Sequence, residues 1–160
     1  IVHRLDMSTS GIMIFARNKE SLRILGMQFE KRQTAKTYIA LIWGALKEKS
    51  GSISKPLRCD WPNRPKQIID FEQGKEAITH WELIAHEGAY SRIKLSPITG
   101  RSHQLRVHMQ SLGHPILGDE FYANDEAYEA SDRLMLHALD ISFFHPKGGK
   151  RVSFLVPCPF

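Results

Sequence analysis

The side chains best suited to chemistry are concentrated in two short stretches of the sequence. Residues 100–108 hold two arginines, two histidines and one glutamine. These side chains offer directional donors and acceptors that suit phosphates, carboxylates and base edges, whereas solvated surfaces favour Lys and Glu. Residues 3–11 place Asp6 before a run of small hydroxylated residues, where backbone and hydroxyl groups can hold a carboxylate. The two stretches predict a site for a polar or anionic substrate.

Four motifs resemble, in their order and approximate spacing, those of the RluA-type RNA pseudouridine synthases. They are residues 3–11, the triplet Lys36-Thr37-Tyr38, residues 100–108 and residues 113–119. The run from Cys59 to Gln67 resembles the RluA subgroup itself, whose members modify loops of rRNA and tRNA. The resemblance covers nearly the whole chain. It implies an isomerase that converts specific uridines in structured RNA loops to pseudouridine.

The resemblance also implies three catalytic residues. Asp6 matches the family's catalytic aspartate, and Arg106 matches its active-site arginine. Tyr38 matches the tyrosine that stacks on the target base and helps to remove the C5 proton. The residues alone leave a plainer interpretation open for each. Asp6 fits a turn or a cap, Tyr38 a half-buried packing residue, and Arg106 a surface arginine.

The implied reaction explains why a carboxylate is needed. Pseudouridine forms when the N1–C1′ bond breaks, the bound uracil turns, C5 joins C1′ and the C5 proton leaves. An ionised carboxylate can stabilise positive charge at C1′, attack as a nucleophile or remove a sugar proton, and the sequence does not choose among these roles. In a water-poor cleft Asp6 needs a cationic partner. We expect Arg106 to bind Asp6 in two-point fashion from a rigid helix.

A second group of residues is expected to contact RNA. A uridine inside a stacked loop must be flipped out before Asp6 can reach it, and Arg4 is placed to fill the gap that it leaves. A proline-flanked loop with one aromatic plane and two cations suits unpaired bases. The predicted RNA-binding residues are Arg4, Arg101, His103, Gln104, Trp61, Arg64 and Lys66. The alternatives are capping or surface hydrogen bonds for the first four and a merely rigid hairpin for the other three.

Composition and charge narrow the function classes. The chain of 160 residues has a net charge of +5 and a pI of about 9.3. Residues 1–80 hold 14 Lys and Arg against 8 Asp and Glu, whereas residues 81–160 hold 8 against 9. This uneven charge fits RNA as the partner, either rRNA or tRNA or both. No apolar run approaches the roughly 18 residues of a membrane span. We therefore expect a cytoplasmic monomer with no membrane and no obligate protein partner.

Neither a metal nor a cofactor is expected. His103 and His108 are five residues apart, which places them on different faces of a helix or a strand. The sequence holds no His-Glu-x-x-His motif and no paired Cys-x-x-Cys motif. Cys59 and Cys158 are far apart in the chain, and we expect both to be reduced structural residues.

The pattern of apolar residues predicts an α+β fold. Asn18 is expected to cap a helix with Leu22, Leu25 and Phe29 on its apolar stripe, and Ser102 to cap a second helix that ends at Leu112. Strands are predicted at residues 11–16, 37–43, 78–85, 90–95, 136–143 and 152–156. The resemblance implies the same class, with a mixed, largely antiparallel, bent central sheet and with helices and loops around a catalytic cleft.

We expect one catalytic domain over residues 1–160. The chain begins at Ile1, and the Lys-Pro-x-Gly motif that precedes the aspartate motif in family members is not found, so the domain is expected to lack its N-terminal segment. The main alternative is an RNA-binding domain that has kept the fold without the activity. The intact set of Asp6, Tyr38 and Arg106 favours the enzyme, because a carboxylate repels phosphates and would weaken a pure RNA binder.

Overall fold

A computed structural model describes residues 1–160. The helices are α1 (Lys19–Glu30), α2 (Gln104–Ser111) and α3 (Asp125–Glu129). The strands are β1 (Ser10–Gly11), β2 (Ala35–Trp43), β3 (Ser50–Ser54), β4 (Leu57–Cys59), β5 (Gln67–Ile69), β6 (Ile78–Glu87), β7 (Tyr90–Pro97), β8 (Leu136–Phe144) and β9 (Arg151–Leu155). None of the three helices is both long enough and apolar enough to cross a membrane.

Seven strands form one sheet in the order β1, β8, β2, β7, β6, β3, and β9 also pairs with β8. All the neighbouring strands are antiparallel except β1 and β8, which are parallel. β4 and β5 form a separate hairpin. The prediction of an α+β fold with a mixed, largely antiparallel sheet is therefore confirmed.

The main core lies between the central strands of the sheet and α2. Ala40 and Ile42 of β2 are fully buried there, and Tyr38 packs against the same cluster. Side chains two residues apart on a strand share a face, so β2 directs Tyr38 to the core side of the sheet. The same alternation extends one step further towards the start of β2, to Lys36.

Two local predictions were wrong in detail. The strand predicted at residues 11–16 is reduced to the two residues of β1, and Ile12 and Ile14 pack instead against a small cluster that includes Leu25 of α1. Asn18 does cap α1, since its Oδ1 accepts a hydrogen bond from the Ser21 N–H at 2.8 Å. Leu22, however, is 40% exposed. The apolar stripe of α1 is therefore narrower than the spacing suggests.

The helix α2 differs from its prediction in a way that affects the site. Ser102 does not cap it, because His103 precedes the first turn with a φ of 52° and makes no capping hydrogen bond. Every residue from Gln104 to Met109 is buried. The reason is that α2 has packing partners on two sides: Leu105 and Met109 belong to the main core, and Val107 packs with the cluster beside the β4–β5 hairpin.

Candidate active site

One cavity of about 450 Å³ collects most of the residues predicted to act in catalysis. Its walls come from residues 2–9, the end of α1, the start of β2 and the segment from β7 to α2. Asp6, Tyr38, Arg4, Arg101 and Gln104 all line it. The charged side chains in its wall are Arg4, Arg32, Lys36 and Arg101 against Asp6 and Glu30. A cavity of this size with an excess of positive charge suits a nucleotide.

The loop that carries Asp6 is fixed by the residues that follow Asp6 in the chain. The Thr9 N–H donates to the Asp6 carbonyl at 2.9 Å, which closes a turn. Gly11 then pairs with Ala138 of β8 at a φ of 114°, and a Cβ on Gly11 would lie 2.2 Å from the Ala138 carbonyl oxygen. Only glycine permits this close approach. The Asp6 side chain is 16% exposed and opens into the cavity.

Polar side-chain contacts fix both flanks of this loop. Ser10 Oγ receives a hydrogen bond from Arg133 at 2.7 Å and lies 2.9 Å from His137 Nδ1, while His137 Nε2 lies 2.9 Å from the Val156 carbonyl. Before Asp6, His3 Nε2 accepts the Ile14 N–H at 3.0 Å. Burial lowers the pKa of His3 to about 4, with a further contribution from the charge of Lys36. A neutral His3 ring therefore provides the lone pair that this hydrogen bond requires.

Arg106 lies beside Asp6, but its two-point contact goes to a different carboxylate. Its Nε and Nη2 donate to Oδ2 and Oδ1 of Asp119 at 2.8 and 2.6 Å, whereas its Nη1 lies 4.0 Å from Asp6 Oδ2. The predicted two-point pairing of Arg106 with Asp6 is therefore wrong. Burial tends to lower the pKa of the guanidinium, but Asp119 and Asp6 raise it overall, so Arg106 stays charged between two carboxylates.

Asp119 is the site residue that the sequence reasoning missed. It is fully buried, and its Oδ1 also accepts the backbone N–H groups of Phe121 and Tyr122 at 3.0 and 3.2 Å. The rings of Phe121 and Tyr122 lie 5.2 Å from the Arg106 guanidinium carbon. The sequence did mark Asp119 as part of the motif at residues 113–119. That motif does not indicate which side chain Asp119 binds.

Tyr38 lines the cavity close enough to Asp6 for the negative charge of Asp6 to affect the pKa of the Tyr38 hydroxyl. Burial, and secondly the charge of Asp6, raise the pKa of the Tyr38 hydroxyl to about 12. The phenol is therefore protonated at neutral pH. Its ring and its O–H group, rather than a phenolate, face the cavity.

His103 is buried beside the site and is not part of the cavity wall. The Tyr122 hydroxyl accepts the Gln67 N–H at 2.8 Å and lies 2.6 Å from His103 Nδ1. Burial is the main cause that raises the pKa of Tyr122 to about 12 and also the main cause that lowers the pKa of His103. The Tyr122 hydroxyl therefore links His103, at the N-terminal end of α2, to the backbone at the start of β5. Asp6, Arg106 and Arg4 are among the charges that act on this ring.

Gln104 does not have a free amide for RNA. Its Oε1 accepts from the Thr99 hydroxyl at 2.7 Å and from the Arg101 N–H at 3.0 Å. Its Nε2 donates to the Ile78 carbonyl and to Thr79 Oγ1, both at 3.0 Å. All four hydrogen-bonding positions of the amide are occupied. The prediction that Gln104 binds RNA through its amide is therefore wrong, and its role in the structure is to join the loop before α2 to β6.

Gln104→Leu is expected to lower the free energy of unfolding by about 2–4 kcal/mol, because it removes four hydrogen bonds, two of which are fully buried. Urea denaturation followed by circular dichroism measures this change. The RNA affinity of the folded variant should match that of the parent. A stable Gln104→Leu protein that binds RNA more weakly would instead identify Gln104 as an RNA contact.

The remaining predicted RNA contacts are on the surface. Arg4 and Arg101 are exposed at the cavity, and Arg101 Nε donates to the Glu76 carbonyl at 2.9 Å. Trp61 is 65% exposed in a short 3₁₀ turn at the tip of the β4–β5 hairpin, and the Arg64 guanidinium lies 5.2 Å from its ring centroid. Lys66 is half-buried at the end of the same loop. These residues form no part of the cavity wall apart from Arg4 and Arg101.

Comparison with known proteins identifies the family. Residues 1–111 match the family model described as RNA pseudouridylate synthase. The chain is 51% identical over 160 residues to the dual-specificity RNA pseudouridine synthase RluA of Vibrio cholerae, covering all of this chain and 65% of that protein. It is 49% identical to RluA of Escherichia coli, covering 99% of this chain and 73% of that protein. The chain thus spans about two thirds of the length of the first of these relatives.

A solved structure has the same architecture. The human RNA pseudouridylate synthase domain containing 1 superimposes with a TM-score of 0.87 at 34% identity, covering 99% of this chain and 69% of that one. With the family model and the relatives above, this shows that the chain belongs to the RNA pseudouridylate synthase family, and within it to the RluA type.

Proposed function

We propose that the protein converts uridine to pseudouridine in structured RNA loops and that Asp6, Tyr38 and Arg106 carry the reaction. The observation that carries the proposal is their convergence: a carboxylate and a phenol share one nucleotide-sized cavity, and a buried guanidinium lies 4.0 Å behind the carboxylate. The relatives named as dual-specificity RNA pseudouridine synthases support the same activity for this chain.

In the proposed reaction the target uridine leaves the RNA stack and enters the cavity. Unstacking costs a few kcal/mol, which contacts to the surrounding RNA must offset. We assign this role to Arg4 at the cavity rim and to the exposed loop of Trp61, Arg64 and Lys66. Trp61 provides a ring for base stacking, and the cations provide phosphate contacts.

We assign the steps of the reaction to residues in and beside the cavity wall. The N1–C1′ bond breaks, uracil turns within the cavity, a C5–C1′ bond forms, C5 loses its proton and N1 gains one, so no oxidant or cofactor is consumed. In the proposed reaction Asp6 acts on C1′ as a nucleophile, a base or an electrostatic stabiliser. Arg106 places a positive charge 4.0 Å from Asp6, although its two-point contact is made with Asp119. Tyr38 acts in its protonated form as an aromatic wall with a hydroxyl.

The substrates we propose are rRNA loops, a tRNA anticodon stem-loop or both, and we propose that the protein works as a cytoplasmic monomer without a metal. The test is release of tritium from C5-labelled uridine in rRNA and tRNA stem-loops, with pseudouridine mapped in the product. Release at one defined uridine supports the proposal. RNA binding without any release, in both RNA classes, would favour a noncatalytic RNA-binding domain instead.

A further inference from the structure

Lys36 is a positively charged residue in the cavity wall, and it has no assigned role in the proposed reaction. It lies on β2 two residues before Tyr38, and both side chains line the cavity. Consecutive positions on one face of a strand are separated by about 6–7 Å. Lys36 therefore lies one such step along the cavity wall from Tyr38, which we propose contacts the reacting base.

The ammonium of Lys36 has no anionic partner in the protein. It forms no ion pair or hydrogen bond, and burial is the only cause that lowers its pKa. Its nearest aromatic neighbour is the Phe29 ring, whose centroid lies 5.9 Å from Nζ. A cation–π contact of this kind contributes about 0.5–2 kcal/mol and leaves the donors of the ammonium without an acceptor. Lys36 is partly buried in the cavity wall, where a ligand can supply that acceptor.

The space beside Nζ is open to a ligand. Gly100 forms the neighbouring wall, and a Cβ at that position would lie 3.4 Å from Nζ. A longer side chain at position 100 would therefore fill the volume in front of the ammonium. The other neighbour, His3, is neutral, since burial lowers its pKa to about 4, so it neither competes for an anion nor provides one.

We propose that Lys36 is a phosphate-binding residue that contacts a non-bridging oxygen of the phosphodiester attached to the extruded uridine. This proposal rests on the proposed function. A phosphodiester is the group of an RNA substrate that carries a full negative charge, and it is joined through the sugar to the base that enters the cavity. The carbonyl groups of uracil are neutral and would leave the charge of Lys36 uncompensated.

The test compares Lys36→Met and Lys36→Arg with the parent and with Lys47→Gln, a control that removes one positive charge from an exposed position. RNA affinity is measured across a salt series, and single-turnover rates are measured at saturating RNA. Losing one phosphate contact should reduce the slope of log affinity against log salt by roughly 0.7–0.9. We expect this reduction in Lys36→Met but not in Lys36→Arg or Lys47→Gln.

Two further measurements keep the result interpretable. Lys36→Met should melt at or above the temperature of the parent, because it removes a partly buried charge, so weaker binding cannot be attributed to unfolding. RNA with a methylphosphonate at the target nucleotide should lose affinity for the parent but not for Lys36→Met. An unchanged salt slope in Lys36→Met, or equal methylphosphonate losses in both proteins, would overturn the assignment.

Failure of this proposal is distinguishable from failure of the proposed function. The parent protein is assayed for tritium release on the same RNA. A parent that binds RNA but releases no tritium contradicts the proposed activity. A parent that releases tritium while Lys36→Met keeps the parental salt slope contradicts only the phosphate contact.

Discussion

Asp6→Asn is expected to abolish pseudouridine formation while RNA binding stays intact or becomes slightly tighter. The substitution removes the negative charge at nearly constant shape, and each proposed role of Asp6 requires an ionised carboxylate. We expect the single-turnover rate to fall at least about 1,000-fold, which corresponds to about 4 kcal/mol in the activation barrier. Tritium release from C5-labelled uridine RNA measures the rate, and a filter-binding assay measures affinity.

The fold should survive Asp6→Asn. The Asp6 side chain is partly exposed, and its one ion pair is the 4.0 Å contact with Arg106. Loss of this long contact should cost little stability, since Arg106 keeps its two hydrogen bonds to Asp119 and the Asn side chain retains nearly the same shape. Asp132→Asn, at an exposed position, is the matched control for charge. A rate within about tenfold of the parent, or about 1.4 kcal/mol, would show that Asp6 is not the catalytic carboxylate.

Local sequence patterns predicted most strands of the main sheet, and the family resemblance supplied the catalytic residues, but neither predicted which side chains bind each other at the cavity. The alternation on β2 is a local property, so the sequence was sufficient to place Tyr38 with Ala40 and Ile42 on the core face. The partner of Arg106 is a tertiary property. Asp6 and Asp119 are equally good acceptors as residue types, and only the turn around Asp119 brings its carboxylate against the fork.

Burial from two sides explains the remaining errors. A helix with polar residues on one face usually presents that face to water, so the plainer interpretation of Arg106 was a surface arginine. Here the segment from Asp119 to Tyr122 covers Arg106, and β6 with the loop before α2 encloses Gln104. Lys36 was missed for a related reason. In a sequence a lysine next to a strand tyrosine is indistinguishable from a solvated lysine, and only the cavity shows that it lacks a partner.

Arg106→Lys is the second substitution for which we expect a large effect, and the structure predicts two consequences. The first is a loss of stability. A lysine ammonium cannot reproduce the planar fork that donates to both oxygens of Asp119. It also loses contact with the rings of Phe121 and Tyr122. We expect the free energy of unfolding to fall by about 2–4 kcal/mol, measured by urea denaturation.

The second consequence is a slower reaction at saturating RNA. Without the planar guanidinium, the lysine ammonium can move away from Asp6 towards Asp119. The Asp6 carboxylate then no longer has a positive charge at a fixed position beside it. We expect the single-turnover rate to fall about 100-fold, or about 2.7 kcal/mol, with little change in affinity, because Arg106 is almost completely buried. The assay is run at a temperature at which denaturation shows the variant to be folded. If Arg106→Lys instead lost RNA affinity and kept its saturated rate, Arg106 would be a phosphate contact. The positive charge beside the Asp6 carboxylate would then have to come from Arg4 at the cavity rim.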